Sequence, residues 1–134
     1  MSHPDDPTHV RHMFEAARKI QMFSEHRKKA DLETEELFAL GLVRLLEIIG
    51  EAATRVTAAT QKSNPTIPWA QVIGMRNRLI HGYDVIDLDK YMYEEQPRSL
   101  QATQHGDILW QTVVEDVPSL IHALECIVIQ ESPN

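Results

Sequence analysis

Apolar positions along the chain recur three and four residues apart rather than alternating, which marks amphipathic helices and not strands. The first stripe runs through Val10, Met13, Phe14, Ala17 and Ile20 and on to Met22-Phe23. Asp6-Pro7 ahead of it makes a suitable start, with Asp able to cap and Pro fitted to the first helical position. Arg18, Lys19, Arg27, Lys28 and Lys29 enrich the later part of this segment in positive charge, as suits a helix C-terminus. A second helix is expected to begin near Asp31 or Thr34. It places Leu37, Leu40, Leu45, Ile48, Ile49, Ala52 and Val56 along one apolar stripe. The polar run Thr60-Gln61-Lys62-Ser63-Asn64 ends it, and Pro65 and Pro68 reinforce the break.

Pro68 opens a third, shorter helix carrying Trp69, Val72, Ile73, Leu79 and Ile80, and Gly82 stands where a helix C-terminal glycine is expected. A loop-like stretch follows from Asp84 to about Gly106, punctuated by Pro97. Asp107 can cap a last helix whose stripe is Leu109, Val113, Val117, Leu120, Leu124 and Ile127. Pro118 falls inside that stripe and should kink it without ending it, because the periodicity continues on both sides. The pattern therefore predicts an all-α fold: an antiparallel bundle of four to five helices, four of them principal, around one core. A length of 134 residues fits a single domain over 1–134. A chain of this size buries roughly two-thirds of its unfolded surface, so it needs neither disulfides nor a metal to hold together.

Composition narrows the class. With 43% hydrophobic and 25% charged residues, the chain reads as an ordinary globular protein. The single cysteine, Cys126, sits in the apolar run from Leu124 to Ile129, where packing is role enough. A disulfide framework is excluded, and a reducing interior is the natural setting. No stretch approaches a membrane span and no basic segment precedes an apolar one near Met1, so the expected location is the cytoplasm. The formal net charge of -7 argues against a protein that coats nucleic acid by bulk electrostatics. Any nucleic-acid site must be a small basic island on an acidic body.

One such island exists. Arg76, Asn77, Arg78, His81 and Tyr83 fall within eight residues that contain no acidic side chain. Histidine suits proton transfer near neutral pH, and arginine holds a phosphoryl group by paired hydrogen bonds. At about 100° per residue, Asn77 and His81 share a helix face, whereas Arg76 and His81 are turned apart by roughly 140°. Three arrangements remain open. Arg76 reaches around the helix end, the helix unwinds near His81, or a second copy of the chain completes the site across a two-fold axis. Taken alone, arginine and histidine near a helix end also fit a cap or a surface pair.

The sequence resembles the HEPN superfamily, and within it the HepT-like family. Arg76-Asn77-Arg78-Leu79-Ile80-His81-Gly82-Tyr83 fits that family's Arg-x4-His-x-Tyr pattern, with its usual Asn after Arg. Further matching blocks are Leu46-Glu47-Ile48-Ile49-Gly50-Glu51-Ala52-Ala53, Ile67-Pro68-Trp69, Asp107-Ile108-Leu109-Trp110 and Asp116-Val117-Pro118. They follow in the family's order and span nearly the whole chain from Val10 to Ile129.

The resemblance implies a toxin that cleaves RNA without metal or other cofactor, working as a homodimer whose two motifs face a shared cleft. His81 would polarise or deprotonate the attacking 2'-hydroxyl, and Arg76 would stabilise charge building on the phosphate. Asn77 would orient one of them, with Arg78 in support. Such a scheme is physically sensible, because the 2'-hydroxyl is an internal nucleophile and needs positioning plus charge stabilisation. The implied partner is a small nucleotidyltransferase antitoxin of the MntA type, which transfers AMP to the motif tyrosine, here Tyr83. Negative charge placed two residues from His81 would repel RNA. Two other readings are a silent partner that only complexes the nucleotidyltransferase and a nucleotide-binding protein using Arg76 and Arg78.

The chain departs from the family between Lys90 and Gly106, where an insertion precedes the last helix and carries Tyr91, Tyr93 and Arg98. It is either a tolerated surface loop or a lid or docking element, and Tyr91 and Tyr93 are close enough to Tyr83 to compete for modification. His9 and His12 lack a third ligand and read as a solvated pair. Glu47 and Glu51 stand beside the small residues Gly50 and Ala52-Ala53, which points to close helix packing near the basic cluster, with Glu47 or Glu51 expected to salt-bridge one of its arginines.

Overall fold

The computed structural model describes residues 5–74 and 108–131, and every regular element among them is helical. α1 (Asp6–Ser24) and α3 (Glu36–Arg55) are joined through a turn and the single-turn α2 (Asp31–Thr34). α4 (Ala58–Ser63) follows, then α5, described over residues 69–74. α6 covers residues 108–131 and contains a π-helical segment at Thr112–Asp116. The chain is all-α, as its periodicity predicts.

α1 lies at the centre and packs against both α3 and α6. Its buried face is Val10, Met13, Ala16, Ala17 and Ile20. Phe23 and Arg27 share a groove with Leu37 and Gly41 at the start of α3, whereas Asp6 meets Thr57 just beyond its end. The two helices therefore run antiparallel. Arg18 and Met22 lie beside Trp110 and Val114, so α6 is antiparallel to α1 as well.

Several local expectations need correction. The N-cap of α1 is Asp5, with Asp6 and Pro7 already inside the helix. Asp6 is buried and does not cap its own helix. Its carboxylate accepts the Thr57 N–H at 3.1 Å and the hydroxyls of Thr57 and Thr60 at 2.6 and 2.5 Å. These bonds help build α4 out of the polar run that reads as a break. Gln61 Nε2 also donates to the carbonyls of Ala53 and Val56, and Asn64 Nδ2 to that of Thr60.

The basic residues after α1 do not complement its C-terminus, because the helix ends at Ser24 and Arg27, Lys28 and Lys29 lie in the following turn. Glu25 is extended (φ -59°, ψ 131°), His26 is left-handed (φ 64°), and the Arg27 N–H bonds to the Ser24 carbonyl at 3.0 Å. This is a type II turn with histidine where glycine is preferred.

The core face of α3 is also offset from the expected stripe. Ala39, Leu42, Val43, Leu46, Ile49, Ala52 and Ala53 are buried, whereas Leu37 is 86% and Leu40 47% exposed. The apolar arc of this helix is wide, and only part of it faces α1 and the rest of the core. In the second half of α6 the inward positions are Val117, Leu120, Ile121, Leu124 and Ile127, which turns Cys126 outward instead of into the packing.

Pro118 does not break α6. Instead the Val117 N–H reaches the Thr112 carbonyl five residues back. A widened turn is a common accommodation beside a residue that cannot donate and whose ring crowds the carbonyl four residues earlier.

Candidate active site

Arg76, Asn77, Arg78, His81 and Tyr83 lie outside the described residues, as do Leu79, Ile80, Gly82, Tyr91, Tyr93 and Asp107. The structure defines the frame that leads into them. α5 begins directly after Pro68, whose carbonyl accepts the Val72 N–H at 2.9 Å. Trp69 is buried and its indole N–H donates to the Asn64 carbonyl at 3.0 Å, while Ile67 and Val72 are inserted in the core on either side. Three buried side chains and one indole bond thus pin the backbone a few residues before Arg76. A motif that must present its groups in fixed geometry benefits from such an anchor.

A groove of about 680 Å³ runs between this anchored lead and the π-helical part of α6. Pro68, Gln71, Gln111, Asp116 and Ser119 are among its lining, and no lysine or arginine of the described residues joins them. Amides, hydroxyls and one carboxylate offer hydrogen bonds but no charge complement for a phosphate.

Glu47 and Glu51 make their described ion pairs along α3, with Arg44 and Arg55, each at 3.1 Å. Their expected partners, Arg76 and Arg78, fall outside the described residues. Gly50, Ala52 and Ala53 beside them are buried, in keeping with the close packing read from that small-residue run. The rings of His9 and His12 sit edge to face with centroids 6.4 Å apart. Among the described residues no group of three histidine, cysteine or acidic side chains is placed to hold a metal ion, and no helix is long and apolar enough to cross a membrane.

Sequence reading missed two features. The Asp6–Thr57–Thr60 cluster joins residues far apart in the chain, and no local pattern announces it. Trp110 lines a basic groove with Arg18 and Lys19, which the spacing of α1 alone does not reveal.

The Ribonuclease HepT-like family matches residues 13–93, a stretch that contains the whole Arg76–Tyr83 segment. The chain belongs to that family. The family is one of ribonucleases, in agreement with the enzyme class expected from the motif. The chain is 30% identical over 119 residues to the probable ribonuclease HepT of Thermococcus cleftensis, covering 89% of each chain. It is 28% identical over 127 residues to a provisionally named RNase of Methanocaldococcus jannaschii, covering 95% of this chain and all of that one. No solved structure matches it. The HepT-like match ends at 93, inside the segment read as an insertion.

Proposed function

We propose that this HepT-like chain is the toxin of a toxin–antitoxin pair, a metal-independent endoribonuclease formed by one domain over residues 1–134. The observation that carries the reading is a family match spanning the segment with Arg76, His81 and Tyr83 at the family's spacing. His81 takes the proton of an RNA 2'-hydroxyl as its oxygen attacks the adjacent phosphorus. The bond to the 5'-oxygen breaks, that oxygen leaves with a proton, and the strand ends in a 2',3'-cyclic phosphate. Arg76 stabilises the charge that grows on the phosphoryl oxygens, where fixed donors contribute most. Asn77 and Arg78 orient the pair. A regular helix would turn Arg76 and His81 apart, and a homodimer whose two motifs share one cleft would bring such groups together.

Control follows from the same segment. A nucleotidyltransferase antitoxin of the MntA type passes AMP from ATP to the phenolic oxygen of Tyr83, releasing pyrophosphate. The added phosphate repels RNA beside His81. The toxin acts in the cytoplasm.

Growth on induction tests the reading. Wild-type chain should arrest cells, His81→Ala and Arg76→Ala should not, and co-expression of the cognate transferase should rescue growth. Harmless wild type, or variants equally toxic while folded, would reject it.

A further inference from the structure

Five of the thirteen lysines and arginines fall between residues 18 and 29, alongside only one of the twenty acidic residues. In a chain of net charge -7 this is a second basic island, separate in sequence from Arg76 and Arg78. The structure gives it a shape. A groove of about 630 Å³ opens between the end of α1 and the start of α6, lined by Arg18, Lys19, Met22, Trp110 and Val114 among others. Arg18 and Lys19 are exposed, and neither forms an ion pair among the described residues. Arg18 lies over the Phe14 ring at 6.0 Å. Arg27 also lines the groove but is engaged by Glu35 and the Phe38 ring, and Glu25 is the single carboxylate of the lining.

Its apolar lining is open: Met22 is 60% and Val114 48% exposed. An uncharged partner seated there would strip water from two cations and give nothing in return. A polyanion compensates them. The combination of an aromatic face with flanking cations is what a single-stranded nucleic acid uses, a base stacking while the phosphates on either side are neutralised. An acidic protein would satisfy the cations, but a planar base also covers the part of half-buried Trp110 that lines the groove.

We infer that the α1–α6 groove is an auxiliary site for single-stranded RNA, holding a base against Trp110 and adjacent phosphates on Arg18 and Lys19. The inference rests on the proposed ribonuclease reading and extends it: the substrate is a strand engaged away from the motif as well as at it.

The test uses the full chain carrying His81→Ala, so that RNA is bound but not cut, and a fluorescein-labelled twelve-residue oligouridylate read by anisotropy across a salt series. Arg18→Glu with Lys19→Glu should weaken binding at least about tenfold at low salt. It should also flatten the slope of log affinity against log salt by about 1.4, two phosphate contacts at roughly 0.7 each. Trp110→Leu should cost about tenfold with the slope unchanged, since stacking is lost and no charge is. Far-ultraviolet circular dichroism and the thermal midpoint check that each variant is folded. Unchanged affinity and slope in the folded double variant would overturn the groove site, and cleavage by the His81-intact chain would show the ribonuclease reading still standing. If the intact chain neither binds nor cuts RNA, both fall. Competition by AMP as strong as by the unlabelled oligomer would indicate a free-nucleotide site and likewise overturn the strand assignment.

Discussion

The buried carboxylate of Asp6 accepts both the backbone N–H and the hydroxyl of Thr57, at 3.1 and 2.6 Å, and so ties the first turn of α1 to the residue that precedes α4. With Thr60 as a further donor, the cluster closes the end of the bundle from which the chain passes through α4 and Pro65–Pro68 towards the motif. Replacing Asp6 with Ala leaves three donors without this acceptor. Hydrogen bonds to charged groups contribute about 1.5–3 kcal/mol, so Asp6→Ala should lose about 2 kcal/mol or more in urea unfolding. A variant as stable as wild type would show that the cluster is incidental.

His26 occupies the third position of a type II turn at φ 64°, where a side chain is disfavoured. Glycine relieves that strain and gives back part of the gain as unfolded-state entropy. His26→Gly should therefore raise stability by about 0.5–1 kcal/mol, measured as a higher denaturant midpoint with an unchanged slope. A lower midpoint would mean that the imidazole makes a contact worth more than the strain.

Leu46 and Leu37 lie on the same helix, yet Leu46 is fully buried and Leu37 is 86% exposed. Leu46→Ala should cost about 2–5 kcal/mol. Leu37→Ala should stay within about 0.5 kcal/mol for the isolated chain. Similar losses at both positions would contradict the assigned core face of α3.

The same contrast explains what can be read in the chain without coordinates. α1, α3 and α6 follow from three- and four-residue spacing because each needs only local information. The orientation of α3 does not, since Leu37, Leu40, Leu45 and Ile48 extend its apolar arc and spacing cannot say which part meets α1. α4 escapes for a different reason: its Thr60 is held by Asp6, more than fifty residues away, and its own residues form no apolar stripe. The π-helical segment before Pro118 is a hydrogen-bond register change that a continuing periodicity conceals. For the catalytic candidates the order is reversed. Arg76, His81 and Tyr83 are legible as residue types at a fixed spacing, while their mutual placement is three-dimensional information that a one-dimensional pattern does not contain.

Regulation by modification has a direct readout. Incubating the purified chain with a nucleotidyltransferase of the MntA type and ATP should add AMP mass to the peptide containing Tyr83, and Tyr83→Phe should abolish it. Label on Tyr91 or Tyr93 instead would move the modified position into the insertion and remove the electrostatic rationale for silencing at His81.

The central claim is that Arg76 and His81 cut RNA by attack of its own 2'-hydroxyl. It is tested most directly by incubating purified chain with a labelled RNA in the presence of a chelator and analysing the new ends by mass. Wild type should yield 2',3'-cyclic phosphate and 5'-hydroxyl ends, with His81→Ala and Arg76→Ala each slower by at least about a hundredfold, the usual scale for losing a general base or a transition-state donor. An RNA left intact by folded wild-type chain, or cut equally well by both variants, would contradict the account.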